Sequence, residues 1–485
     1  MRAGIIRWAG RGALLLALAL SLVFAVRVLD IQGEPTLEPW HRFVPEELDE
    51  RELDQADWSA WMNAEARVFE QVRAQVSEQL DAEEQVPANR YFPGSPLYPG
   101  RFRQDWNRSY VLRPEGEPVG AVVMLHGLTD SPYSLRHLAL RYRQAGFVVL
   151  GLRLPGHGTV PAALTDVSWE QWLAATRLAM REARRLVGAQ RPLRLVGYSN
   201  GGALALKYSL DALEDPSLPR AERLVLLSPM LGVAGYARFA GLAGLPAVFP
   251  AFAKAAWLDL LPEYNPFKYN SFPVNGARQS YQLTAALQEQ LLSASRRDGL
   301  RGLPPLLTFQ SVVDATVSTS AVVASLYRLV PDNGSELVLF DINRSVDFGP
   351  LLRPDASLAL ARLLPPPPRA YRTAVITNAT ASSREVVERV IEAGGREEWV
   401  RPLGMAFPRE LFSLSHVALP FPDSDGLYGR HPDAADDFGI HLGNLSLRGE
   451  RGVLVMNMDA LQRATSNPFF PYLLQRLEQV EGLAR

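Results

Sequence analysis

The chain has 485 residues, 47% of them hydrophobic and 21% charged, with 50 basic against 52 acidic side chains and no cysteine. That composition excludes global disorder and gives no basic excess to support nucleic-acid binding. It also removes disulfides, cysteine-ligated metals, a thiol nucleophile and a lipid-modified N-terminal cysteine. The net charge of −2 hides an asymmetry: residues 1–33 carry four arginines against one aspartate, residues 34–84 hold fifteen acids against four arginines, and the remainder is mildly basic.

Arg2, Arg7 and Arg11 precede an uncharged apolar run, Gly12 to Val26. A basic stretch followed by an apolar one is the pattern of an export segment. Residues 1–31 therefore read either as a cleaved signal peptide, with Val23-Phe24-Ala25 as the cleavage site, or as an uncleaved membrane anchor. In both readings the arginines stay cytoplasmic and the body crosses, to the cell envelope, the periplasm or the outside. Residues 34–105 are an acidic helical arm and linker. Over 45–85, Trp58, Trp61, Met62, Val68, Phe69, Val72, Val76 and Leu80 recur at three- and four-residue steps, which predicts one apolar stripe on an acidic helix. Such an arm either docks on the basic body or stays solvated. The Pro-, Gly- and aromatic-rich run 87–103 reads as an ordered linker.

The pattern then alternates. Strands are expected over 109–112, 119–125, 148–152, 193–196, 223–227 and 306–310, and helices over 134–146, 168–186 and 201–213. This is the signature of an α/β fold, a mostly parallel sheet flanked by helices. A further strand is expected over 336–340. Past the prolines 365–368, a strand–helix–strand pattern is expected over 372–412, and a final helix over 468–483.

Between an apolar strand and an Ala/Leu-rich helix stands Gly197-Tyr198-Ser199-Asn200-Gly201, a G-x-S-x-G run. A sharp strand-to-helix turn lifts a serine hydroxyl out of a sheet, and glycine on either side lets the chains approach. Ser199 is the candidate nucleophile. Upstream, VVMLHGLTDSP ends a buried strand at His126-Gly127. The backbone N–H groups of Leu128 and Asn200 could hold a developing oxyanion. His126 and His157, the latter in LRLPGHG, read as loop-packing residues rather than bases.

The runs HGLTDSP, LPGHG and GYSNGG, in that order, make residues 108–330 resemble serine α/β-hydrolases of the monoacylglycerol lipase, carboxylesterase and lysophospholipase type. The resemblance implies an α/β-hydrolase fold over 106–485 with a lid insertion at about 232–300. It implies the order serine, acid, histidine, and no cofactor or metal. Asp314, in LLTFQSVVDATV, follows the strand 306–310 and matches the family's acid loop. The histidine ordinarily comes just after the next strand, but there the chain reads DINRSVDFG. A late insertion, about 342–410, is expected to delay that loop. Of the seven histidines only His416, His431 and His441 follow Asp314. His416, after a strand-like stretch and before Pro420, is assigned as the base, with His441 and His431 as the remaining candidates.

The lid's first part, Gly232 to Leu258, carries only Arg238 and Lys254 as charges among many aromatics and leucines. Such a cap lines an acyl-chain pocket, dips into a bilayer or packs on the core. The expected substrate is a small acyl ester or lipid, with membrane association and no nucleic acid. An acyltransferase with the same triad, or a non-catalytic envelope scaffold, are the alternatives.

Overall fold

The computed structural model describes residues 35–232, 250–346, 359–445, 458–463 and 465–483, with isolated positions outside these ranges. The stretch 1–31 read as an export segment, most of the stretch 232–258 read as a cap and part of the late insertion lie outside the described residues. Among the described residues no helix is long and apolar enough to cross a membrane.

The arm is packed on the body. It is not one continuous helix: α1 (Glu50–Gln55) and α2 (Trp58–Gln75) are each started by an aspartate. Asp49 accepts the Glu52 N–H at 2.8 Å, and Asp57 accepts the Ala60 N–H at 2.8 Å. Both satisfy amide groups that a helix start leaves open. Leu53 and Trp61 are buried in the main core. Arg177 ties α1 down through Asp54 at 2.7 Å.

Ten strands form one sheet: β1 (Tyr110–Leu112), β2 (Gly120–Leu125), β3 (Phe147–Leu152), β4 (Leu193–Tyr198), β5 (Arg223–Leu227), β6 (Leu306–Ser311), β7 (Glu336–Phe340), β8 (Arg372–Asn378), β9 (Glu385–Ile391) and β10 (Glu398–Ala406). Their spatial order is β1-β3-β2-β4-β5-β6-β7-β8-β9-β10. β3 through β8 run parallel, β1 is antiparallel at one edge, and β9 and β10 are antiparallel at the other. The central strands are continuous apolar runs because helices cover both faces. Val123, Leu125 and Leu195 face α4 (Trp169–Val187), α5 (Asn200–Glu214) and α6 (Val274–Asp298). Val122, Met124 and Val196 face α3 (Arg136–Gln144) and α7 (Phe470–Glu481), as the period of two requires.

The late insertion corrects one expectation. Its middle element is the strand β9 and not a helix. Val386, Val387, Val390 and Ile391 are β-branched, which disfavours a helix and suits a pleated surface. Paired antiparallel with β8 and β10, they extend the central sheet. The insertion also closes on itself. Asn343 donates its N–H to Phe412 O at 2.7 Å and its side-chain amide to Leu411 O at 2.9 Å. The chain therefore leaves the end of β7 and returns to the same place about seventy residues later, three residues before Ser415.

The strand order places the site. From β2 the chain first moves outward to β3 and then crosses back to β4 on the other side of β2. The crevice beyond the carboxyl ends of β2 and β4 is the switch point where such sheets bind ligands.

Candidate active site

Ser199 ends β4 and begins α5, with φ 55° and ψ −116°, a conformation that L side chains rarely adopt. Backbone bonds hold the strain. Ser199 N–H donates to Leu227 O at 2.9 Å, and Ser199 O accepts from Gly202 at 2.9 Å and Met230 at 3.0 Å. The flanking glycines are required by space: a Cβ on Gly201 would lie 2.1 Å from Leu125 O, and one on Gly197 would lie 2.3 Å from Gly201 O. Close approach of β4, α5 and the end of β2 is what seats the serine.

The loop after β2 packs on this turn. A Cβ on Gly127 would stand 3.2 Å from the Ser199 Cβ. Among the described residues neither the Leu128 nor the Asn200 N–H has a hydrogen-bond partner. The Asn200 N–H also stands at the start of α5, where the helix dipole favours negative charge. Two open amides on either side of the serine are the requirement for holding an oxyanion.

His416 is brought to Asp314. Its Nδ1 meets Asp314 Oδ2 at 2.8 Å, and both side chains are buried. Asp314 Oδ1 also accepts from the Thr316 and Val317 N–H groups at 2.8 and 2.9 Å, and Oδ2 from Gln310 Nε2 at 3.2 Å. Burial pushes the Asp314 carboxyl up, but the charge of His416 and these hydrogen bonds outweigh it and hold the group below its ordinary value. A carboxylate on Nδ1 fixes the ring tautomer and leaves Nε2 as the free nitrogen. The ring stacks on Tyr198 at 5.2 Å between centroids, and Tyr198 Oη donates to His416 O at 3.2 Å. The residue before the serine thus carries the histidine.

The other histidines are placed elsewhere. His126 Nε2 accepts from Leu154 N–H at 3.0 Å, so its Nδ1 donates to Gly127 O at 2.8 Å and both nitrogens are occupied. His157 Nδ1 donates to Pro155 O at 3.0 Å. His441 Nδ1 bonds Gly426 O at 2.7 Å, and His431 is exposed.

Three residues near the site escaped the sequence reading: Tyr198, Asp130 and Lys268. Asp130 is buried. Burial pushes its carboxyl up to about 6, against the pull of Lys268, Ser134, Ser131 and His416. The only local signal was its place in HGLTDSP, and that says nothing of burial.

Buried neutral histidines give a pH prediction. Burial lowers His157 to about 4, while in the unfolded chain it titrates near its ordinary value of 6.5. Below pH 6.5 the unfolded state takes up a proton that the folded state refuses, so His157 destabilises the fold increasingly from pH 6.5 down to 4. The effect is roughly 1 kcal/mol at pH 5.5 and roughly 3 kcal/mol at pH 4. Asp130, raised, acts in the opposite sense near pH 6, so the global curve mixes both. Urea unfolding of wild type and His157→Asn at pH 7.5, 6.0 and 5.0 separates them. The stability difference should shrink as pH falls; a constant difference would refute the assignment.

Sheet order, switch-point crevice and serine turn are those of the α/β-hydrolase fold, a mostly parallel sheet flanked by helices. Residues 116–325 match the family model Hydrolase_4, serine aminopeptidase, S33. The chain is 34% identical over 92 residues to the thermostable monoacylglycerol lipase of Bacillus sp. strain H-257, covering 19% of this chain and 35% of that protein. It is 27% identical over 117 residues to phospholipase YtpA of Bacillus subtilis, covering 24% and 42%. The matches therefore span well under half the length of these curated relatives. Among solved structures, the metagenome-derived lipolytic enzymes LipS and LipT give 23% identity over 49% of this chain and 88% of that one, with a TM-score of 0.38.

Proposed function

We propose that this chain hydrolyses carboxylic esters of acyl substrates, monoacylglycerol- or lysophospholipid-like, through an acyl-enzyme on Ser199. The observation that carries the reading is the 2.8 Å bond from Asp314 to His416, whose ring rests on the residue preceding the strained serine. The relatives named a monoacylglycerol lipase and a phospholipase support the acyl-ester class.

In this mechanism His416 Nε2 takes the Ser199 proton as Oγ attacks the ester carbonyl carbon. Asp314 holds the Nδ1–H and stabilises the imidazolium. The oxygen of the tetrahedral intermediate accepts from Leu128 and Asn200 N–H. The C–O bond to the alcohol then breaks, and His416 returns its proton to the leaving oxygen. Water, deprotonated by His416, attacks the acyl-enzyme and releases the acid and free Ser199. The body works outside the cytoplasm in this reading, delivered by residues 1–31, and its association with membrane follows from that segment or from the apolar cap.

The test is a panel of p-nitrophenyl esters from short to long acyl chains, with Ser199→Ala as the blank and glycerol added as a competing acceptor. Ser199-dependent release of p-nitrophenol, with free acid as the main product, is the expected result. Glycerol esters forming faster than free acid would make the chain an acyltransferase. No turnover on any ester, together with no labelling of Ser199 by a fluorophosphonate, would leave a scaffold.

A further inference from the structure

Two cations, one beside Asp130 and one beside the loop that carries Asp314, have no carboxylate partner among the described residues. The first, Lys268, belongs to the run Asn265–Tyr269 at the base of the cap, and that run is clamped from several elements. Phe267 stacks on Tyr133 with centroids 4.0 Å apart. Asn265 Nδ2 donates to Tyr428 Oη at 2.7 Å. Tyr269 N–H donates to Thr129 O at 2.7 Å, and the Arg90 guanidinium donates to the carbonyl of Lys268 itself at 3.4 Å. The Lys268 backbone is thereby fixed beside the loop that carries Asp130. Its side chain, in a half-buried residue, makes no hydrogen bond or ion pair among the described residues. The nearby charges acting on it are Asp130 and Arg463. The Asp130 oxygens accept from the Ser131 N–H and the Ser134 hydroxyl, and Asp130 forms no ion pair with Lys268 among the described residues.

The second cation reaches the same region from the C-terminal part of the chain. Arg463 donates to Thr316 Oγ1, two residues from Asp314. Its carbonyl accepts from Ser415 Oγ at 2.8 Å, one residue before His416. Arg463 too has no carboxylate partner among the described residues. The contrast is with Arg136, Arg153, Arg177, Arg372 and Arg476, each of which is paired with an acid.

An ammonium with no carboxylate partner among the described residues is open to an anionic ligand. Lysine and arginine together suit a phosphate or a carboxylate, the arginine as a two-pronged donor and the lysine as a point charge. We infer that Lys268 and Arg463 receive an anionic group of the substrate, so that the preferred ester carries a phosphate or carboxylate and not a neutral glycerol head. The inference rests on the esterase reading and names the substrate class of that same site.

The experiment compares 1-lauroylglycerol 3-phosphate, the hemisuccinate of 1-lauroylglycerol and 1-lauroylglycerol itself, which differ in the head group. Wild type should give the highest kcat/KM on one of the two charged esters, and which one it is separates phosphate from carboxylate. In Lys268→Met the ratio of charged to neutral kcat/KM should fall about ten- to a hundredfold, and Lys268→Arg should restore most of it. Arg463→Gln should lower the same ratio and serves where Lys268→Met fails to fold. An unchanged ratio in folded Lys268→Met and Arg463→Gln would overturn the inference. If wild type hydrolyses none of the three, the p-nitrophenyl panel decides the esterase reading, and calorimetric titration with decyl phosphate, decanoate and decanol decides the anion site alone. Binding of a charged probe that weakens tenfold or more in Lys268→Met upholds it; equal binding by both proteins removes it.

Discussion

Replacing Ser199 or His416 with alanine should lower kcat on the best p-nitrophenyl ester by about 10⁴- to 10⁶-fold, and removing both should lower it scarcely further. In the proposed mechanism the two act as one unit: without the base the hydroxyl is a poor nucleophile, and without the hydroxyl the base has no proton to take. Asp314→Asn should fall by about 10⁴-fold, because an amide facing Nδ1 favours the wrong ring tautomer while leaving the fold intact. His441→Ala and His431→Ala should stay within about twofold of wild type, since one ring bonds Gly426 O and the other faces solvent. Loss of activity in His441→Ala with retention in His416→Ala would overturn the assignment of the base. Steady-state kinetics on all six variants, with unchanged circular dichroism as the control, provides the check.

How much of this was legible in the sequence follows from how local each signal is. The serine turn is local: a strand, a tight turn and a helix within twenty residues, with glycines that the structure shows to be pressed against Leu125 O and against each other. The loops after β2 and β6 are local in the same way, each a short run at the end of an apolar strand. His416 could be reached only by elimination, because the insertion separates it from β7 in the chain but not in space. The Asn343–Phe412 bond that rejoins the two ends is a long-range fact. β9 was misread for a related reason. A seven-residue run such as EVVERVI gives no decisive period, and neighbours across the sheet decide between helix and strand. Its Glu388 is buried because Arg372, Arg401 and Tyr472 surround it, and none of these lies close to it in sequence. Tyr198, Asp130 and Lys268 matter through partners more than fifty residues away.

The arm supplies the largest expected change in stability. Read as sequence, Glu65 is one more acid on an acidic helix. In the fold it lies buried beneath the loop after β3, in contact with Arg153, which is buried as well. Arg153 donates to Glu47 through both terminal nitrogens, at 2.6 and 2.9 Å, and to Glu65 from Nε at 3.0 Å. Glu65 also accepts from the Ser109 N–H at 3.0 Å and its hydroxyl at 2.7 Å. The Trp61 ring lies under the guanidinium at 5.0 Å. One arginine thus joins two acids of the arm to the chain that continues into LPGHG.

The two partners of this cluster should behave unequally. Burial pushes the Glu65 carboxyl up, against the pull of Arg153 and Ser109, so Glu65→Gln keeps the shape and removes a charge that burial already disfavours. It should destabilise by about 1 kcal/mol. Arg153→Met should destabilise by about 3–5 kcal/mol, because it strands two carboxylates away from water without their cation. Urea unfolding monitored by tryptophan fluorescence measures both, and limited proteolysis should cut the arm of Arg153→Met first. The double variant Arg153→Met/Glu65→Gln should be less unstable than the sum of the two single changes, since removing the Glu65 charge relieves part of what losing Arg153 leaves behind. Strict additivity would mean that Arg153 and Glu65 do not couple and that the arginine acts on the arm through Glu47.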